Sequence, residues 1–147
     1  MVFSPGLSSL LLAAGESARM GQPKALLPWT GPLGARPLIT YQVRALLEAG
    51  ASEVVVVLGH SAPEVAPHIR GTETIKVVIN PLWSQGKTTS IKAGLREVGQ
   101  HAEGLLLLAV DQPRPPGLMA SLVASHREKK ALLTQPLYQG RRGHPIL

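Results

Sequence analysis

The sequence predicts an α/β fold built on a mostly parallel central sheet. Three observations predict it. Short apolar runs alternate with stretches whose apolar residues recur at helical spacing, and the connections between them are short. The runs themselves are dense in leucine, valine and isoleucine, as in strands buried on both faces. Strand, helix and strand joined by short loops give right-handed βαβ units, and hence a parallel sheet covered on both sides.

Each element has its own signal. Leu7–Ala13 reads as a buried strand. Leu38–Ala49 carries Ile39, Val43, Leu46 and Leu47 on one helical face, and Gly50 is a natural stop. Glu53–Leu58 (EVVVVL) is a strand rich in β-branched residues. Ser61–Ile69 predicts a short helix opened by Ser61 and interrupted by Pro67. Ile75–Asn80 is a further strand, and Thr88–Val98 repeats Ile91, Gly94, Leu95 and Val98 as a helical face capped by Thr88 or Ser84. Gly104–Val110 (GLLLLAV) is the most apolar strand. Gly117–His126 sets Leu118, Met119, Leu122 and Val123 on one face, and Ala131–Gln135 is expected as a fifth strand. The final HPIL reads as the start of another apolar element with no visible partner, which suggests a truncated chain.

The 147 residues suit one domain, with 44% hydrophobic and 16% charged residues, a globular composition. There is no cysteine, which excludes disulfides, thiolate zinc sites and thiol nucleophiles. The apolar runs are too short for a membrane span, and MVFSPGLSSLLLAAG lacks the basic start of a signal peptide. A cytoplasmic enzyme or binding protein is the expectation. The net charge of +6 suits anionic partners such as nucleotides or phosphates. With aromatics at 3%, a stacking platform for single-stranded nucleic acid is not expected.

In such a sheet ligands sit at the carboxyl ends of the strands. After the first strand, Gly15 and Gly21 let the backbone approach an anion, and Arg19 and Lys24 add fixed positive charge. The alternative is an ordinary basic loop. The spacing fits neither the dinucleotide glycine pattern nor the P-loop. SQGKTTS, Ser84–Ser90, is similar to a P-loop, but its first glycine position is Pro81, which has no N–H to offer a phosphate. A helix N-terminus there still favours negative charge. Of nine acidic residues eight are glutamate, and Asp111 is the single aspartate, at the end of the most apolar strand. A short carboxylate there suits Mg²⁺, though it also suits a turn or cap. Gly140–Pro145 (GRRGHP) joins two arginines and a histidine, as a second anion site or as a basic turn. His60, His68, His101 and His126 show no metal-ligand spacing and read as surface or packing residues.

LAAGESARMGQPK resembles the L-A-[AG]-G-x-S-x-R-M-G-x-x-K signature of the MobA-like nucleotidyltransferases, the molybdenum cofactor guanylyl- and cytidylyltransferases. NPLWSQGKTTSIKAGL is similar to that family's N-x-x-[WY]-x-x-G-x-x-x-S-[LI]-x-x-G-L segment, and VDQP and GRRGHPIL resemble two further ones. The resemblance spans the whole chain. It implies a three-layer Rossmann-like fold forming a single domain over 1–147, with the last strands and a late acidic segment missing.

By position, the resemblance implies that Leu12, Ala13, Ala14 and Gly15 hold base and ribose. Arg19 would bind the β- and γ-phosphates and Lys24 the α-phosphate. Asp111 would bind Mg²⁺. Asn80, Gly86 and Ser90 would line the nucleotide or acceptor side. Arg142, Gly143 and His144 would face a pterin-type acceptor. Ala14, where guanylyl enzymes tend to have glycine, together with Asp111-Gln112-Pro113, favours CTP over GTP. Implied partners are CTP or GTP, an anionic phosphate-monoester acceptor and a molybdoenzyme receiving the cofactor; neither a membrane nor nucleic acid is expected. Rival expectations are transfer to a sugar phosphate or another alcohol phosphate, or a module that binds nucleotide or pterin without reacting.

Overall fold

A computed structural model of the chain describes residues 6–16 and 21–147. Among them, four strands form one parallel sheet in the order β5-β4-β1-β6: β1 (Leu7–Ala13), β4 (Glu53–Leu58), β5 (Ile75–Ile79) and β6 (Gly104–Ala109). Of the five expected strands, two coincide with β1 and β4, and two, β5 and β6, end one residue early. A hairpin that the sequence reading missed, β2 (Pro28–Gly31) with β3 (Gly34–Pro37), stands apart from the sheet.

Side-chain alternation along the strands makes three layers. Leu11, Val54, Val56, Leu58, Leu106 and Leu108 face helices α1 (Leu38–Glu48) and α4 (Pro116–Lys129), where Ile39, Val43, Leu46, Met119, Leu122 and Val123 meet them. Leu10, Leu12, Val55 and Val57 face the other way, onto Ile91 and Ala93 of α3 (Lys87–Leu95). The expected short helix over Ser61–Ile69 is two turns, α2 (Ala62–Val65) and a 3-10 turn at Ala66–His68, divided as Pro67 requires.

Gly94 sets how closely α3 lies on the sheet. A Cβ there would overlap Leu10 Cδ1 and stand 2.9 Å from Val57 Cγ2. Gly94→Ala gains about 1 kcal/mol of helix propensity but forces overpacking costing about 1–3 kcal/mol. The net expectation is a loss of about 1 kcal/mol, read by urea denaturation. A variant more stable than the parent by the full propensity gain of about 1 kcal/mol would mean that α3 shifts on β1 and β4 without cost.

Several expectations need correction. Ala131–Gln135 is not a strand of the sheet. Lys130, with φ 49°, ends α4 in a left-handed turn, and Leu132 and Leu133 project into solvent at 102% and 66% exposure. The segment leads instead to a two-residue hairpin, β7 (Leu137–Tyr138) and β8 (Arg141–Arg142). HPIL has a partner after all: Ile146 pairs antiparallel with Leu107 on the outer edge of β6, through N···O distances of 2.7 and 3.1 Å. Leu147 packs into the core and exchanges two backbone hydrogen bonds with Thr134. Helix α3 is capped by Gly86, at φ 114° and with no side-chain cap, rather than by Thr88 or Ser84. Leu95 and Leu118, assigned to buried faces, are exposed. No helix among the described residues is long and apolar enough to cross a membrane.

Candidate active site

The carboxyl ends of the parallel strands open into a cleft of about 280 Å³. Its floor is the end of β1 and the loop after it, Leu12 to Glu16. One side is formed by Ala109, Val110 and Asp111 at the end of β6, with Pro23, Lys24 and Ala25. The other side carries Ser61, Val65, Trp83, Lys87 and Ser90.

The floor is held from both neighbours. The Val110 N–H donates to Leu12 O at 2.9 Å, and the His60 N–H donates to Ala14 O at 3.3 Å. Gly59 permits the second contact, because a Cβ there would stand 2.5 Å from Ala14 O and 2.7 Å from Trp83 Cβ. Lys24 opens a 3-10 turn (Lys24–Leu26) pinned by the buried Pro23 and Ala25, which fixes the backbone from which its ammonium projects. The Lys24 ammonium lies 3.9 Å from an Asp111 carboxylate oxygen, with both side chains about half exposed.

Asn80 sits at the end of β5, buried, and ties the other side together. Its Nδ2 donates to Thr89 Oγ1 and Ser90 Oγ, each at 2.9 Å, and its Oδ1 accepts the Leu82 N–H at 2.9 Å. The side chain is thus engaged in holding the 80–90 segment, which carries Trp83, Lys87 and Ser90 to the cleft. The Trp83 ring meets His60 edge to face, with centroids 4.8 Å apart. Asn80→Ala leaves a serine and a threonine hydroxyl without this donor. It should cost about 1–3 kcal/mol, read by urea denaturation, and weaken binding of a ligand in the cleft, read by calorimetry. Unchanged affinity would separate this latch from the cleft.

Of the residues singled out in the sequence, Leu12, Ala13, Ala14, Gly15, Lys24, Ser90 and Asp111 line one cleft. Arg19 lies outside the described residues. Gly86 stands just before Lys87 as the cap of α3. Arg142, Gly143 and His144 are not among the lining residues. They belong to the β7–β8 hairpin and its exit, where Arg114 Nε donates to His144 O at 3.1 Å and Gln135 Nε2 to Gly143 O at 3.0 Å. Arg114 follows Asp111 by three residues, so the segment is attached to the Asp111 loop without reaching into the cleft. The sequence reading missed Glu16, Ser61, Val65, Trp83 and Lys87 as lining residues.

The described residues contain no group of three or more His, Cys, Asp or Glu side chains placed to hold a metal. Asp111 and Glu16 are the carboxylates that line the cleft. Such a donor set fits a hard divalent cation that takes one or two carboxylates and draws its other oxygens from water and substrate phosphates. It does not fit a cage made by the protein alone. Together the cleft offers a shaped floor with backbone groups, an ammonium, an accessible carboxylate and a helix N-terminus at Lys87. That arrangement can bind a phosphorylated ligand in extended form.

The chain is 30% identical over 141 residues to the molybdenum cofactor cytidylyltransferase of Escherichia coli (strain K12), covering 96% of this chain and 69% of that one. It is 33% identical over 144 residues to a probable molybdenum cofactor guanylyltransferase of Mycolicibacterium paratuberculosis, covering 96% and 68%. The fold superimposes on Rv0371c of Mycobacterium tuberculosis H37Rv with a TM-score of 0.80 at 24% identity, covering 97% of this chain and 70% of that one. Rv0371c is also known in complex with manganese. The MobA-like NTP transferase domain matches residues 9–147. With that match running from the middle of β1 to the last residue, the chain belongs to the MobA-like NTP transferase family, and is a nucleotidyltransferase by family.

Proposed function

We propose that this chain transfers CMP, in preference to GMP, from a nucleoside triphosphate to the phosphate of a molybdopterin-type acceptor, releasing pyrophosphate. The observation that carries the reading is the cleft itself, which joins the Leu12–Gly15 floor to Lys24 and Asp111 at the ends of β1 and β6. The preference for CTP rests on Ala14 and on the Asp111-Gln112-Pro113 run.

An oxygen of the acceptor's phosphate monoester attacks the α-phosphorus in line. The bond from that phosphorus to the bridging oxygen breaks, and the electron pair leaves with pyrophosphate. No covalent enzyme intermediate is required. The protein's task is to position two mutually repelling anions and to offset charge on the phosphate oxygens. Lys24 supplies an ammonium for the α-phosphate, and Arg19 would serve the departing phosphates. Asp111 would hold a divalent cation, Mg²⁺ in this reading, which when bound neutralises phosphate charge. Leu12 to Gly15 fix base and ribose against the strand end. Ser90 and the Gly86 cap border the nucleotide, while Arg142, Gly143 and His144 form the acceptor's outer rim beside the Asp111 loop.

The test is pyrophosphate release with Mg²⁺, comparing CTP with GTP, with and without a molybdopterin-type acceptor. Release that needs CTP and that acceptor is the expected result. Release with a sugar phosphate in its place would move the chain to another acceptor. Tight CTP binding with no release under any condition would leave a binding module.

A further inference from the structure

Helix α1 carries one polar residue inside its apolar face. Gln42 lies between Ile39 and Leu46 and is wholly buried, as Ile39 and Leu46 are. Its Nε2 donates to Val110 O at 3.2 Å and to Ala109 O at 3.4 Å. Its Oε1 is buried with no hydrogen-bond partner among the described residues. A leucine or methionine would remove the unpaired Oε1 but would leave the buried Val110 carbonyl without its Gln42 donor, so the glutamine serves this backbone rather than the packing of the helix face.

What the amide does is local and specific. The Val110 carbonyl belongs to the peptide that joins Val110 to Asp111. On the β1 side, the Val110 N–H is already held by Leu12 O at 2.9 Å. On the α1 side, Gln42 holds the Val110 carbonyl and shares the Ala109 carbonyl with the Gln112 N–H, which donates at 3.1 Å. The backbone entering Asp111 is therefore clamped from a strand and from a helix, and the direction of its Cα–Cβ bond is set before any ligand arrives.

We propose that Gln42 is a positioning residue: through the Val110–Asp111 peptide it aims the Asp111 carboxylate, and so governs how tightly the cleft holds a divalent cation. This rests on the reading of Asp111 as the metal ligand. Partners that orient a metal ligand typically change affinity by about 10–100-fold when removed.

The test is Mn²⁺ titration into protein saturated with CTP, without acceptor, followed by the electron paramagnetic resonance signal of free Mn²⁺. Gln42→Met keeps the volume and removes the donor. Asp111→Asn removes the ligand, and Val123→Ala serves as a core control of lowered stability away from the cleft. We expect Gln42→Met to weaken Mn²⁺ binding by about tenfold or more, with CTP affinity in EDTA essentially unchanged and Val123→Ala like the parent. If Gln42→Met binds Mn²⁺ like the parent while Asp111→Asn does not, the positioning role is overturned and the metal assignment stands. If Asp111→Asn also binds Mn²⁺ normally, the reading of Asp111 fails and the proposal falls with it. Equal losses in Val123→Ala and Gln42→Met would reduce Gln42 to general stability and overturn the proposal. Should Gln42→Met not fold, Gln42→Glu keeps the shape with at most one donor and takes its place in the same comparison.

Discussion

Lys24→Ala should lower kcat/KM for nucleotidyl transfer by about 10²–10³, equivalent to roughly 2.7–4 kcal/mol of barrier, by analogy with loss of one oxyanion donor. The same substitution should act in the opposite direction on metal binding. Lys24 lies 3.9 Å from Asp111 in a half-exposed pair, and such pairs contribute up to about 1 kcal/mol. Freed of this competitor, Asp111 should bind Mn²⁺ more tightly, by no more than about fivefold. Asp111→Asn should lose both turnover and Mn²⁺ affinity. Because the two groups touch, the double variant should fall short of the sum of the single losses. Near-normal turnover in Lys24→Ala would remove Lys24 from the reaction. Additive losses would mean that the two side chains act on separate steps.

Glu53→Ala should lower stability by about 2–3 kcal/mol and Tm by roughly 5–10 °C, without touching the cleft. Glu53 begins β4 at the opposite end of the sheet, with its side chain only 4% exposed. Its carboxylate accepts the Gly99 N–H at 3.0 and 3.1 Å, Ser8 Oγ at 3.3 Å and Lys76 Nζ at 3.2 Å. One side chain thereby gathers β1, β4, β5 and the turn that precedes β6. Truncation leaves the Gly99 amide and the Ser8 hydroxyl without this acceptor. The Lys76 ammonium is itself 39% exposed and can turn to water, which keeps the loss below that of a fully buried pair. Glu53→Gln keeps the shape and one acceptor and should lose about half as much. A thermal melt of each variant decides this, and an unshifted Tm in Glu53→Ala would show that the cluster contributes nothing net.

The parts legible in the sequence were those where one physical cause dominates. EVVVVL and LSSLLLA are buried on both faces, so their composition alone marks them as strands. Lys24 and Asp111 were legible because post-strand positions in such a sheet face ligands. The β2–β3 hairpin was not legible, since Pro28, Pro32 and Pro37 interrupt it and most of its residues are exposed, leaving no apolar alternation to read. ALLTQ misled in the other direction. Its leucines resemble a strand, yet α4 ends at a left-handed Lys130 and delivers them to the outside. Ser61, Trp83 and Lys87 reach the cleft from three positions that only the fold brings together. Gln42 did have a signal, a lone polar residue three positions from Ile39 and one from Val43 on an otherwise apolar face.

The fit of α3 onto β1 constrains how this sequence can diverge. Position 94 gains a side chain only at a cost in packing while Leu10 and Val57 keep their size, because a Cβ would enter the space those residues fill. Position 10 can shrink first, at the cost of a void that the helix side could later occupy. Alanine at 94 therefore costs less after a smaller residue at 10 than before it. Lineages that share this cleft should keep glycine at 94 more often where 10 is bulky, and the exchange at 10 should tend to come first.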